Sequence, residues 1–299
     1  MRRIIDTSRW TLPGTRLAKW PMVMEMLADV RAEVMDAPRL NVDVLDGVHD
    51  PAFINDFLNN KLGPEKMRRI GIEWSSFLRD RVMHVTGGTM HAVSMVLEAS
   101  DPRGHRIAVM GGGAHHASYA EGSGYCVFND VAAAAHELAV KRDLKVLILD
   151  LDVHQGDGTL SIVDRFQSDR IFICDLHCGS NFPFRKSDTT LPRINRALPD
   201  ALDDAQYLSA VEEALREVAH LDVDVVLYQA GVDILKSDRL DRLNVSMSGL
   251  QEREALVKAA FDGPSIISMC GGGYAHSKET LREVASAHAL QMRHLVEKS

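Results

Sequence analysis

Four short segments gather residue types that do metal and acid–base chemistry: Gly111-Gly-Gly-Ala-His115-His116, Asp150-Leu-Asp152-Val-His154-Gln-Gly-Asp157, Gln229-Ala-Gly231-Val-Asp233 and Gly271-Gly-Gly-Tyr274. Asp150, Asp152 and His154 alternate, so a backbone that stays extended puts their side chains on one face. Two carboxylates and an imidazole packed at a buried chain end repel one another or stay unsatisfied unless a cation joins them. Asp152 and His154 with Asp233 make a two-carboxylate, one-imidazole set, which leaves room for water and substrate on one zinc-like ion per chain. Ferrous iron is the alternative metal. The plainer reading has Asp150 and Asp152 capping loops and His154 as an ordinary strand-end histidine; it suits any one residue alone but not four such clusters at once.

Tandem histidines are common, but His115-His116 come with two spare acids. Asp150 and Asp157 flank the metal motif, and each can orient one imidazole, fixing its tautomer and raising its basicity as a general base or acid requires. Otherwise the two acids are loop or helix caps. Tyr274 follows three glycines that let the backbone approach a ligand, and its phenol can donate a hydrogen bond to a developing oxyanion. A surface-packed loop aromatic is the alternative.

These clusters need a scaffold that collects them. Short apolar runs bounded by Gly, Asp or Pro, at 106–110, 145–149, 170–176, 223–228 and 265–269, read as buried parallel strands. Amphipathic stretches at 130–141, 204–219, 248–261 and 278–296 read as helices, and the alternation implies repeated βαβ units. N-caps are expected at Asn129-Asp130, Asp204 and Ser248. The first hundred residues read as a helix over 19–34, a short strand over 42–45, a helix opened by Asp50-Pro51 and a longer helical stretch ending near Ala99. In a parallel sheet the loops after the strands' carboxyl ends form the ligand crevice, and all four clusters lie directly after proposed strands.

With no repeat, low-complexity tract or hinge, 1–299 reads as a single doubly wound α/β domain, a mostly parallel central sheet with helices on both faces. The hydrophobic fraction of 45% and charged fraction of 25% are those of a globular protein. A formal charge of −8 argues against nucleic-acid binding through phosphate neutralisation. Basic clusters at 66–69 and at Arg185-Lys186 read as solvated surface. No signal-peptide run or membrane-length apolar stretch is seen, so a cytoplasmic location and no membrane partner are expected. Cys126, Cys174, Cys178 and Cys270 lie in or beside apolar segments and read as reduced; Cys174-Asp-Leu-His177-Cys178 lacks the second cysteine pair a soft metal site would need. Oligomeric state is left open.

The same residues, in this order, resemble the histone deacetylase superfamily. The motifs are Gly112-Gly-Ala-His115-His116-Ala, Gly122-Ser-Gly124-Tyr125-Cys-Val-Phe-Asn129-Asp130, Asp150-Leu-Asp152-Val-His154-Gln-Gly-Asp157-Gly, Gln229-Ala-Gly-Val-Asp233 and Gly271-Gly-Gly-Tyr274, covering the chain from about His49 to the C-terminal helix. Asp233-Ile-Leu with Asp238-Arg-Leu, and Asn181-Phe-Pro-Phe-Arg-Lys186, look like the class IV type and its bacterial relatives. The resemblance implies the arginase-like fold, zinc on Asp152, His154 and Asp233, His116 as general base and acid, His115 as its electrostatic partner, and Tyr274 polarising the carbonyl. It further implies an acyl channel walled by Gly124 and Tyr125 with Phe182 or Phe184. A structural potassium ion is implied at Asp150 with Asp152, His154, Asp175 and Leu176; Asp175 stands where many members have a hydroxyl residue.

The expected activity is hydrolysis of an acyl amide to a carboxylate and an amine, with an acyl-lysine side chain as the substrate and an acetylpolyamine or other small amide as the alternative. Di-manganese ureohydrolases share the fold but need an Asp-x-Asp pattern where this chain has only Asp233. The rival from another class is a catalytically silent acyl-lysine-binding protein.

Overall fold

The expected alternation of strand and helix is realised as one sheet of eight strands in which every neighbouring pair runs parallel. The structure, a computed structural model, describes residues 1–11, 18–191 and 193–297. In chain order the strands are β1 (Arg2–Asp6), β2 (Glu33–Asp36), β3 (Arg106–Val109), β4 (Val146–Asp150), β5 (Ile171–Cys178), β6 (Arg193–Leu198), β7 (Val225–Gln229) and β8 (Ser265–Met269). Their order across the sheet is β2-β1-β3-β8-β7-β4-β5-β6, so β7 and β8, late in the chain, are inserted between β3 and β4. The carboxyl ends of β3, β8, β7 and β4 thereby become neighbours, and the four chemistry-bearing segments meet at one sheet edge.

Helices cover both faces. On β4, Leu147 and Leu149 join one core and Val146 and Ile148 the other, the period-two alternation of a strand buried on both sides. The first core is closed by α1 (Trp20–Met26), α7 (Asp204–Val218), α8 (Met247–Ala260) and α9 (Lys278–Val296). The second is closed by α2 (Pro51–Leu58), α3 (Pro64–Ile70), α4 (Ser76–Leu97), α5 (Asp130–Ala135) and α6 (Asp157–Phe166). The helix expected over 130–141 is α5 continued by one wide, π-type segment, His136–Val140.

The N-terminal expectations need correction. The helix beginning near Lys19 ends at Met26, and the residues expected to finish it lead instead into β2. The 42–45 segment is a 3-10 turn and not a strand, because the Asn41 side chain accepts the Asp43 N–H and curls the backbone. β1 and β2 are strands that the apolar pattern did not announce. β6 was also unannounced: it is an edge strand, only its last residue Leu198 is buried, and Arg193 and Arg196 place charged side chains there that guard against edge-to-edge pairing.

Helix caps shift by a residue or two. Asn129 does cap α5, accepting the Ala132 N–H. Asp203, not Asp204, caps α7 in a capping box with Gln206, and Asp204 instead accepts the N–H and hydroxyl of Ser246, the residue that caps α8 in place of Ser248. All four cysteines are free and buried. No helix among the described residues is long and apolar enough to cross a membrane.

Candidate active site

β4 ends at Asp150, and the three alternating residues do not share a face by staying extended, as the sequence had suggested. The backbone turns twice. Asp152 N–H donates to Asp150 Oδ1 at 3.1 Å and His154 N–H to Asp152 Oδ1 at 3.0 Å, each an aspartate folding its own chain two residues on. His154 Nδ1 lies 3.0 Å from Asp152 Oδ1 and 3.1 Å from Asp233 Oδ2. The other carboxylate oxygens are fixed, Asp152 Oδ2 by Gly272 N–H at 2.8 Å and Asp233 Oδ1 by Val153 N–H at 3.1 Å.

The trio suits a small divalent ion. One ligand atom from each of Asp152, His154 and Asp233 lies within 4.8 Å of the others, all three residues being buried. A tetrahedral ion with bonds of about 2.0–2.2 Å sets its ligand atoms roughly 3.3–3.6 Å apart, close to the spacings found. A Cβ at Gly231 would sit 2.2 Å from Asp152 Oδ2 and one at Gly272 1.9 Å from Asp233 Oδ2, so a side chain at either position would displace a ligand. Burial, then Asp152, pushes the Asp233 carboxyl up. Burial works against ionised Asp152 too, but His115 and His154 outweigh it and hold it well below the usual range. His154 is pushed up to about 10, burial being outweighed by Asp152 and Asp233. The cluster thus gathers a proton to balance its carboxylates, and a divalent cation takes the place of such a proton when it binds. It is the only such group of three among the described residues.

The tandem histidines split between the two spare acids. His115 Nδ1 is 2.8 Å from Asp150 Oδ2, and His116 Nδ1 is 2.6 Å from Asp157 Oδ1 on the first turn of α6. The rings sit 4.1 Å apart, and that of His116 is 5.7 Å from that of His154. Their environments separate them. Burial alone would lower both, but Asp150 and Asp152 carry His115 up to about 10. His116 falls to about 4 through burial and the neighbouring His115 charge, against the pull of Asp157. A neutral His116 that donates from Nδ1 to Asp157 keeps its lone pair on Nε2.

Tyr274 is clamped by backbone. Its N–H donates to Asp238 Oδ2 and its carbonyl accepts Arg239 N–H at 2.9 Å, while burial, Asp233 and Asp152 push its phenol up. Its ring is 6.4 Å from that of His154 and 5.8 Å from that of Tyr125. Gly124, Tyr125, His115, His116 and Tyr274 line one cavity of about 470 Å³. Phe182 packs edge-on against His116 at 4.9 Å; Phe184 lies 6.2 Å beyond Phe182 and is 83% exposed, away from the inner wall. Asp175, the register partner of Asp150, has both oxygens engaged, with Gly156 N–H at 2.9 Å and His177 Nδ1 at 2.7 Å.

Several residues that hold this geometry gave no chemical signal in the sequence. Asp130, at the first turn of α5, accepts the N–H groups of Gly113 and Ala114 and the Thr89 hydroxyl, which fixes the loop carrying His115 and His116. Its motif was visible but its partners were not. Arg253 reaches from α8 to the carbonyls of Leu151 and Gly231 beneath the metal-ligand segments, with Glu254 as its buried counterion. Mid-helix, nothing in its neighbours announces that role.

Comparison with known proteins fits this geometry. The histone deacetylase domain matches residues 14–292. An uncharacterized protein of Picosynechococcus sp. is 36% identical over 256 residues, 83% of this chain and 80% of that protein. Histone deacetylase clr6 of Schizosaccharomyces pombe is 37% identical over 183 residues, 58% of this chain and 43% of its own length. The acetoin utilization protein AcuC of Staphylococcus xylosus is 26% identical over 231 residues, 71% of this chain and 59% of its own. The chain thus spans about half the length of these two named relatives. Among solved structures, an HDAC homolog complexed with SAHA has a TM-score of 0.79 at 20% identity, covering 98% of this chain and 84% of that one. An HDAC homolog from Aquifex aeolicus has a TM-score of 0.78 at 20% identity, over 97% and 84%. Both share the fold.

Proposed function

The chain belongs to the histone deacetylase family, and from that premise we propose that it is a zinc-dependent deacylase that hydrolyses the side-chain amide of an acyl-lysine. The observation that carries the reading is one cavity bordered by His115, His116 and Tyr274, with Asp150 and Asp157 each holding one of the two imidazoles, together with a buried Asp-His-Asp trio. A zinc ion on Asp152, His154 and Asp233 would polarise the amide carbonyl and acidify water, with ferrous iron able to do the same.

The residues around it divide the remaining work. His116, neutral and oriented by Asp157, takes the proton from the attacking water through Nε2. Tyr274 donates its phenolic hydrogen to the carbonyl oxygen as negative charge develops there, from a backbone that Asp238 and Arg239 hold in place. As the carbon–nitrogen bond breaks, the leaving amine receives a proton from the histidine pair, and His115, charged beside Asp150, is the partner that tunes His116. Gly124, Tyr125 and Phe182 flank the acyl-lysine stem. The products are a carboxylate and a free amine.

The test is a turnover screen on acyl-lysine peptides and acetylpolyamines with a chelated control. Hydrolysis of an acyl-lysine peptide that stops on chelation and returns with zinc is expected. Turnover confined to acetylpolyamines would move the substrate to small amines. Affinity without turnover would make the chain a binding protein.

A further inference from the structure

The cavity that touches His115, His116 and Tyr274 also runs along two buried cations, Lys19 and Arg81. Lys19 is 3% exposed and Arg81 7%. Lys19 Nζ donates to Gly273 O at 2.7 Å and lies 4.7 Å from the centre of the Trp20 ring. Arg81 Nη1 donates to Trp10 O. Among the described residues neither cation forms an ion pair. Asp238 and Asp233 act on Lys19 only from a distance, and Arg81 feels burial alone, which pushes it down to about 10.

The donors converge on the two glycine runs. The point where a Gly111 Cβ would sit is 3.5 Å from Arg81 Nη2 and 3.5 Å from Trp20 Cε2, the carbon that bears the indole nitrogen. That nitrogen, Trp20 Nε1, is buried without a hydrogen-bond partner. The corresponding point at Gly273 is 3.1 Å from Lys19 Nζ. The indole N–H thus stands without an acceptor, while among the described residues the hydrogen bond made by the Arg81 side chain is the one from Nη1 to Trp10 O, and a lysine has donors to spare. Removing an ion from water costs several kcal/mol unless a counterion compensates, and an anion in the cavity would supply that compensation. The ligand must enter through the cavity, which also borders the catalytic histidines. A carboxylate matches the guanidinium fork with two oxygens. Since one water occupies about 30 Å³ in the liquid, the cavity of about 470 Å³ holds far more than a two-carbon acyl group.

We propose that Arg81, Lys19 and Trp20 form a carboxylate subsite for the far end of the acyl group, so that the chain prefers acyl amides ending in a carboxylate, of the succinyl and glutaryl class, over methyl-ended acyl groups of the same length. The proposal rests on the deacylase reading of the site. Water adds to the amide carbon, the carbon–nitrogen bond breaks, the amine leaves with a proton, and the released acid is a dicarboxylate.

The experiment compares kcat/KM on one peptide carrying acetyl-, butyryl-, succinyl-, valeryl- or glutaryl-lysine. Succinyl over butyryl, or glutaryl over valeryl, should exceed unity by roughly tenfold or more, the scale of one charge-assisted hydrogen bond. Arg81→Met and Lys19→Met should each reduce that ratio by about tenfold. Reading a ratio within one preparation cancels a general loss of folded enzyme, and if neither variant folds the wild-type ratio decides. Methyl-ended substrates cleaved as fast as their carboxylated counterparts, or a ratio unmoved in both variants, would overturn the proposal. If no peptide is cleaved, acetyl-lysine included, the deacylase reading fails, and calorimetric titration decides the subsite. Glutarate binding that weakens in Arg81→Met while valerate does not bind upholds it; equal binding of the two acids, or none, overturns it.

Discussion

At the histidine side of the cavity each acid has a basic neighbour: Asp150 has His115, Asp157 has His116, and Asp152 and Asp233 share His154. Along the glycine runs Lys19 and Arg81 donate to backbone carbonyls, and among the described residues neither has an acidic partner. The first region is built to hold its geometry whether or not substrate is present, because each orienting hydrogen bond is already made. The second is finished only by what enters it. Catalytic groups tolerate little displacement, so they are braced from several sides, whereas a region that selects a ligand can leave its charges unmatched until the ligand arrives.

The sharpest way to break the contrast is to unpair the braced side. Asp233→Asn removes a carboxylate from the trio while leaving its bulk. Metal per chain, measured by elemental analysis, should fall well below the wild-type value. Turnover should drop by more than the roughly 10- to 100-fold typical of losing a partner outside a ligand set. Full metal content in that variant would remove Asp233 from the site.

Tyr274→Phe tests the same side without touching the trio. Loss of one donor to a developing oxyanion costs roughly 10²- to 10³-fold in kcat at full effect, and a fall of at least about tenfold with metal retained is expected. Unchanged kcat on an acyl-lysine peptide would refute the role assigned to the phenol.

The smallest effect belongs to the unpaired side and is read in stability. Burial pushes Lys19 down to about 8, from an unfolded-state value of about 10.4. Between these values the unfolded chain binds the extra proton, so folding gains from rising pH there, and below about 8 the native state carries the full cost of a buried ammonium. Wild-type stability relative to Lys19→Met should therefore improve from pH 8 to pH 10, by at most roughly 3 kcal/mol. A melting-temperature difference that does not move with pH would mean that Lys19 keeps its proton through a partner the geometry lacks.

Much of the scaffold could be read in advance. Strands 265–269 and 145–149 are mostly apolar and sit between glycine or aspartate stops, so burial on both faces leaves its mark in composition. The segments after them were legible because carboxylates and imidazoles are rare at buried chain ends. Where local chemistry competes with pattern, legibility fails. Val42 and Val44 look like strand residues, but the Asn41 cap turns them. Arg193 and Arg196 look like surface and form an edge strand. Lys19 and Arg81 look like ordinary solvated side chains, for nothing beside them in the chain says that a sheet from far along the sequence will bury them. Their environment exists only in three dimensions.

The insertion of β7 and β8 between β3 and β4 also governs when the site can come into being. Arg106 finds its neighbour Ile266 only after most of the chain has left the ribosome, and until then β3 has an open side and its histidines face no partner strand. β4 pairs directly with β5 and β7, so among the strands that contribute to the site β3 and β8 are the ones that wait for that late closure. On the proposed reading, a growing chain therefore gains its activity only once β8 is in place, and a fragment ending before residue 265 should have none.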